Sequence, residues 1–150
     1  MKTLTLTQPY ASLIAFGAKR IETRTWATTY RGPLAIHAAA GLGPIGGVSG
    51  LKRIVQQEPF RPVFAARDRE HGTDILHDPS HYLPRGAVVA LCTLVTCVRT
   101  TQCTAITDQE RAFGEYSPGR YAWILSDVQP LNYPVPAKGQ LGLWEWEVPS

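Results

Sequence analysis

The chain reads as a small barrel of mixed α and β structure, open or closed, with five or so strands and two or three helices inserted between them. Three observations predict this. Apolar and polar residues alternate at the strand period in several short runs separated by turn residues. The helical segments are short and sit between strands without regular β-α alternation, which argues against a doubly wound parallel sheet. The chain of 150 residues, 44% hydrophobic and 18% charged, is long enough to bury one core without staples and shows no internal repeat. Residues 1–150 are therefore expected to form a single domain.

The elements follow in order. Gln8-Pro9 opens a helix, with Pro in its first turn and an apolar face through Phe16, and Gly17 ends it. From Lys19 to Trp26 the residues alternate: Lys19, Ile21, Thr23 and Thr25 on one face, Arg20, Glu22, Arg24 and Trp26 on the other. A kink after Gly17 would re-aim Lys19. Tyr30-Arg31-Gly32-Pro33 is a turn, and Leu34 to Ala39 a strand carrying His37. Gly41 to Gly50 is Gly-rich and read as a mobile loop; GLGPIGG lacks the Gly-Lys-Ser/Thr ending of a phosphate loop. Leu51 to Gln57 and Val63 to Glu70 read as helices separated by Pro59 and Pro62, and His71 to Pro84 as a polar loop. Gly86 to Val98 is a long apolar strand, buried on both faces or strongly bent. Thr107 to Phe113 is a short helix capped by Thr107 or Asp108. SPGRYAWILSDV turns into a further strand, and Leu141 to Val148 supplies the last.

Charge is concentrated. Lys19, Arg20, Arg24 and Arg31, less Glu22, give residues 17–37 the same +3 as the whole chain, and the other 11 basic and 11 acidic residues cancel. Such a stretch points to a partner of opposite charge, and the aromatic residues around it point to nucleic acid. Lys19, Arg24 and Arg31 are candidates for phosphates, the arginines also for a guanine edge. Tyr10, Trp26 and Tyr30 are candidates to stack on unpaired bases. Trp26 has the alternative of being core, and Glu22 that of a structural pair with Lys19 or Arg24.

Other features carry less. Cys92, Cys97 and Cys103 form no Cys-x-x-Cys pair and are expected to be reduced, buried thiols. No apolar run approaches the ~20 residues of a spanning helix, so no membrane partner is expected. The start of the chain lacks an apolar leader, which gives the expectation of a cytoplasmic protein. Asp74, His77, Asp78 and His81 have a metal-like look, but Pro79 denies them a helical scaffold. Neither a metal nor another cofactor is expected. Composition leaves the oligomeric state open.

LTQPYASLIAFGAKRIETRTWATTYRGPLAIHAAA resembles the opening of an ASCH domain, the activating-signal-cointegrator homology domain. The signature Gly-x-Lys-x-x-Glu-x-Arg appears as Gly17, Lys19, Glu22 and Arg24, followed by Trp26 and the Arg31-Gly32 turn. SPGRYAWIL and KGQLGLWEW resemble the family's closing strands. The resemblance implies an α+β, PUA-like barrel of about five to six strands with flanking helices and a cleft beside the first helix. It implies RNA or DNA as ligand, bound through that cleft, with the SPGRY turn near it. Ser117 and Arg120 thereby become candidates as well; the alternative for Arg120 is an ion pair with Asp108 or Glu110. Glu115 is a candidate acidic partner for Lys19. Lys138-Gly139-Gln140 resembles a further loop at the barrel mouth.

The family also contains enzymes, some regarded as ribonucleases and some amidohydrolases acting on acetylated cytidine. Here Lys19 and Glu22 would be the catalytic pair. In the amidohydrolase branch a Thr stands three residues after the Lys, and this chain has Glu22 there instead. A ribonuclease would call on His37, which in an alternating apolar strand is more often a packed, hydrogen-bonded residue.

Overall fold

The computed structural model describes all residues from Met1 to Ser150. The strands are β1 (Lys2–Leu6), β2 (Ile21–Arg24), β3 (Gly32–Ala38), β4 (Ala87–Arg99), β5 (Tyr121–Pro136) and β6 (Leu143–Glu145). The helices are α1 (Tyr10–Ala15), α2 (Gly47–Val55), α3 (Phe60–His71), α4 (Pro79–Tyr82) and α5 (Asp108–Ala112), with a 3-10 turn at Thr100–Gln102. None is long and apolar enough to cross a membrane.

All six strands belong to one sheet in the order β2-β5-β4-β3-β1-β6. β4 and β5 pair antiparallel with register shifts at three places, between Val88 and Ala90, Leu91 and Thr93, and Leu94 and Thr96. Each shift bends the ladder and increases its twist, and the sheet curls into a half-barrel open between β2 and β6. The expected α+β architecture of about six strands with flanking helices is therefore the observed one. β1 has no counterpart among the elements expected from the sequence. It lies parallel to β3 and antiparallel to β6, pairing Thr3 with both Ala35 and Trp144.

α1 is only six residues long, and Ala11 to Ala15 are all buried. Gln8, one residue before the Pro9 N-cap, ties down its first turn: Gln8 Oε1 accepts from Ser12 N at 3.1 Å, while Gln8 Nε2 donates to Pro84 O at 2.6 Å. Gly17, at φ 80°, takes the left-handed turn that ends it. Ile14 and Ala15 pack toward the sheet with Leu4, Leu34, Ile36 and Trp123. Leu13 packs the other way, with Leu51, Val55, Phe60, Phe64 and Phe113. The helix is thus clamped between the sheet and the layer of α2, α3 and α4.

Several expected boundaries move. α2 starts at Gly47, inside the segment read as a loop, because Gly50 packs so closely that a Cβ there would lie 1.6 Å from Ile45 O. The polar loop contains α4, whose Pro79 sits in the first turn, where its missing N–H is no loss. β5 runs on through Pro130, Pro134 and Pro136, which is possible because β2 ends opposite Tyr121 to Ile124 and leaves that side of β5 unpaired. β6 is shorter than the expected final strand. Thr107, not Asp108, caps α5, its Oγ1 accepting from Glu110 N at 3.1 Å.

His37 is buried, with Nδ1 3.2 Å from Thr5 Oγ1 and Nε2 2.7 Å from Ala137 O. Both ring nitrogens are engaged, the packed arrangement expected of a lone His in such a strand. The three cysteines are free, Cys92 buried and the others half-buried. Burial pushes the Cys92 thiol up to about 12. Asp74 and His77 pair with each other at 2.7 Å in solvent, and no three His, Cys, Asp or Glu side chains converge as a metal site.

Candidate functional site

A cleft of about 490 Å³ opens where the end of β1, the start of α1, β2 and the segment between α5 and β5 meet. Its position follows from how β2 is held. After Gly17 the chain turns sharply, with Lys19 N donating to Leu13 O at 3.0 Å. Glu110, buried on α5, then accepts from Arg20 N with both carboxylate oxygens, at 3.1 and 3.0 Å, and from Ile21 N at 2.8 Å. A helix some 90 residues downstream thereby fixes the first residues of β2 and so the aim of Glu22 and Arg24.

That turn re-aims Lys19. The side chain is fully buried, and Lys19 Nζ donates to Ile21 O at 2.6 Å and Phe113 O at 2.7 Å. It also lies 3.5 Å from Glu22 Oε1 and 5.9 Å from the centre of the Tyr10 ring. Burial pulls the Lys19 ammonium below its ordinary value, while Glu22 and Glu110 act against that shift. Lys19 is therefore not a surface cation open to phosphate. It stands behind the cleft wall, and its charge reaches the cleft through Glu22.

Glu22 is held on two sides, since its Oε2 lies 3.1 Å from Arg24 Nε. Arg24 Nη2 donates to Thr5 O at 2.6 Å, tying β2 to β1 across the cleft. From the start of β5, beside β2, Arg120 Nη2 reaches Thr23 O at 3.4 Å. The Nε atoms of both arginines are buried without a hydrogen-bond partner, since Arg24 Nε is near Glu22 but poorly aligned with it. Thr23 Oγ1 accepts from Glu115 N at 2.9 Å and anchors the loop that carries Glu115. Tyr10 completes the rim. Burial, then Glu22 and Glu115, raises its hydroxyl above the ordinary tyrosine value. Apolar wall comes from Leu6, Pro44, Ile45 and Phe113. The charged lining is balanced: Arg24 and Arg120 against Glu22 and Glu115.

Of the residues singled out in the sequence, Tyr10, Glu22, Arg24, Glu115 and Arg120 meet at this cleft, and Lys19, Trp26, Tyr30, Arg31 and Ser117 are not part of its lining. Trp26 is half-buried, edge-on to Trp123 with centroids 4.8 Å apart, and its carbonyl accepts from Trp123 Nε1 at 3.3 Å. Tyr30 donates its hydroxyl to Pro33 O at 2.5 Å. Arg31 is exposed, its Nη1 on Thr28 O and Tyr30 O at 2.9 and 2.8 Å. Ser117 is exposed, and its carbonyl holds Thr100 Oγ1 at 3.0 Å. Arg120 pairs with neither Asp108 nor Glu110, and the partner of Lys19 is Glu22 instead of Glu115. Thr5 and Ile45 have no local signal in the sequence, and Glu110, a candidate partner there for Arg120 alone, instead holds Arg20 and Ile21; each acts on the site only through long-range packing.

The ASCH domain model matches residues 4–135. The chain belongs to the ASCH domain family. Among curated proteins, this ASCH chain is 29% identical over 142 residues to activating signal cointegrator 1 of Homo sapiens, covering 95% of the chain and 22% of that protein. The Mus musculus counterpart is 27% identical, again over 95% of this chain and 22% of its own length. The chain thus spans under a quarter of the curated relatives it matches. A crystal structure of a ZmASCH mutant from Zymomonas mobilis aligns with a TM-score of 0.46 and 15% identity, over 90% of this chain and 74% of that one.

Proposed function

We propose that this ASCH domain binds nucleic acid, RNA or another single-stranded form, through the cleft beside α1. The carrying observation is that Arg24 and Arg120, brought side by side by the pairing of β2 with β5, line one concavity, and each guanidinium donates a single hydrogen bond, to a backbone carbonyl. A guanidinium with an unspent donor is suited to a phosphate oxygen or a base edge. The apolar wall and the Tyr10 ring suit the face of an unpaired base. Arg20 and Arg31, both exposed, would extend the electrostatic footprint outside the cleft.

The test is fluorescence anisotropy with labelled single- and double-stranded RNA and DNA over a salt series. Affinity should fall as salt rises, with single strands preferred. Arg24→Ala or Arg120→Ala should each weaken binding and reduce the salt slope by about 1. Absence of binding at low salt, or binding indifferent to both substitutions, would count against the reading.

A second reading, catalysis on RNA or a modified nucleoside, draws on Lys19: a buried amine lowered by burial beside a carboxylate is the kind of pair that moves protons. Incubation with RNA and with acetylated cytidine tests it. Turnover abolished in a folded Lys19→Met variant would support it, and absence of product from either would remove it.

A further inference from the structure

We infer that Glu22 determines specificity in the cleft, which takes an unpaired nucleobase bearing an exocyclic amino group (guanine, cytosine or adenine) and rejects uracil and thymine. The inference rests on the nucleic-acid reading above and asks what such a ligand must present. A cleft built only for phosphates would be lined by cations, and this one carries as many carboxylates as guanidiniums. A phosphate near Glu22 or Glu115 would be repelled. The ligand group that meets Glu22 must be a hydrogen-bond donor, because an ionised carboxylate offers acceptors alone.

Glu22 is also immobilised. Lys19 Nζ, 3.5 Å away, stands behind Oε1, and Arg24 Nε lies 3.1 Å from Oε2. Lys19 cannot swing out to serve the ligand itself, because it is fully buried and donates to two carbonyls. It acts as a positioning residue that holds Glu22 oriented. The Glu22–Arg24 pair therefore offers acceptors and a donor side by side at the cleft wall. Its neighbours Leu6, Pro44, Ile45 and the Tyr10 ring supply apolar surface for the faces of a planar ring.

The edges of the bases sort cleanly against this array. Guanine presents N1–H and N2–H₂ to the two carboxylate oxygens and O6 to Arg24. Cytosine and adenine give their amino group to one oxygen and the adjacent ring nitrogen to the guanidinium. Uracil and thymine have one ring N–H flanked by two carbonyls. A carboxylate that accepts that N–H brings its other oxygen against a carbonyl, and two acceptors then face each other without a proton. Discrimination through a bidentate contact of this kind is worth about 10-fold or more in affinity.

The experiment uses the whole chain and short unstructured RNA oligomers of uridine carrying one central guanosine, cytidine or adenosine, compared with all-uridine RNA by anisotropy at one salt concentration. The amino-bearing oligomers should bind about 10-fold more tightly than all-uridine RNA. In Glu22→Gln the gap should narrow to about 3-fold or less, because a Gln amide can turn its NH₂ toward a carbonyl. Thermal melting of the variant establishes that it folds, and the native panel alone decides the preference if it does not. Salt-dependent binding of all oligomers with equal affinity overturns the inference while leaving the nucleic-acid reading standing. So does a preference that Glu22→Gln leaves intact. No binding to any oligomer overturns both.

Discussion

Removing the Glu110 carboxylate should loosen the whole site from a distance. Both its oxygens accept from backbone N–H groups of Arg20 and Ile21, at 2.8 to 3.1 Å, and the side chain is 8% exposed. Hydrogen bonds to a charged group contribute ~1.5–3 kcal/mol each. Taking the low end for two amides, Glu110→Ala costs about 3 kcal/mol. For a domain of this size each kcal/mol shifts the midpoint by ~2–4 °C, so thermal unfolding should move down by about 6–12 °C. Glu110→Gln keeps one acceptor and should lose about half as much. The cap of α5 survives either change, since Thr107 Oγ1 takes the backbone N–H of Glu110 and not its side chain. Calorimetry or circular-dichroism melting reads the effect, with Asp108→Ala on the exposed side of the same helix as a control expected within ~0.5 kcal/mol of the native protein. A Glu110→Ala loss below about 1 kcal/mol would refute the idea that this carboxylate holds β2.

Two further perturbations test the scaffold. Asp68 accepts from Thr73 Oγ1 at 2.7 Å, Ile75 N at 2.8 Å and Leu76 N at 3.1 Å. Burial would raise its carboxyl, but these hydrogen bonds outweigh it and hold Asp68 below the ordinary 3.8. A lowered carboxylate stabilises the fold above that ordinary value and loses its contribution as pH falls through the folded one. Urea midpoints should therefore show Asp68→Ala about 2 kcal/mol less stable near neutrality, with the gap closing in acid. Gly50→Ala places a methyl 1.6 Å from Ile45 O, and should cost at least ~1–3 kcal/mol on melting by pushing α2 off the turn that forms the cleft wall. Gly41→Ala, with open space around it, should change stability by no more than ~1 kcal/mol.

What could be read in the sequence was whatever local chemistry determines. Pro9 and Gly17 bracket α1, alternation marks β2 and β3, and the Thr107 cap and the turn before Arg120 come close to their observed positions. The hidden parts depend on contacts between distant residues. β1 is a bare Thr-Leu alternation that gains meaning only when β3 and β6 flank it. Gly46 to Gly50 looks like a breaker until the close approach of Ile45 explains it. For the candidate site, the Lys19-to-Arg24 signature marks a strand that lines the cleft but not the depth of its lysine. A lysine two residues beyond a Gly turn reads as exposed, and only the carbonyls of Ile21 and Phe113 make its burial tolerable. Arg24 and Arg120 are nearly a hundred residues apart, and pattern alone could not establish that they line one cleft.

The pairing of β1 with β6 has a mechanical consequence. Lys2 stands opposite Glu145, and the amino-terminal ammonium reaches Glu145 Oε2 at 3.1 Å and Trp146 O at 2.7 Å. The two strands run antiparallel, so Met1 and Trp146 leave the sheet at the same end. A pull on Trp146 away from Met1 would peel β6 off β1 one pair at a time from the Lys2–Glu145 end, instead of shearing the whole ladder at once. Thr5 and Leu6, which line the cleft from β1, lie beyond the last β6 pair at Leu4 and would be loaded only once that ladder has opened.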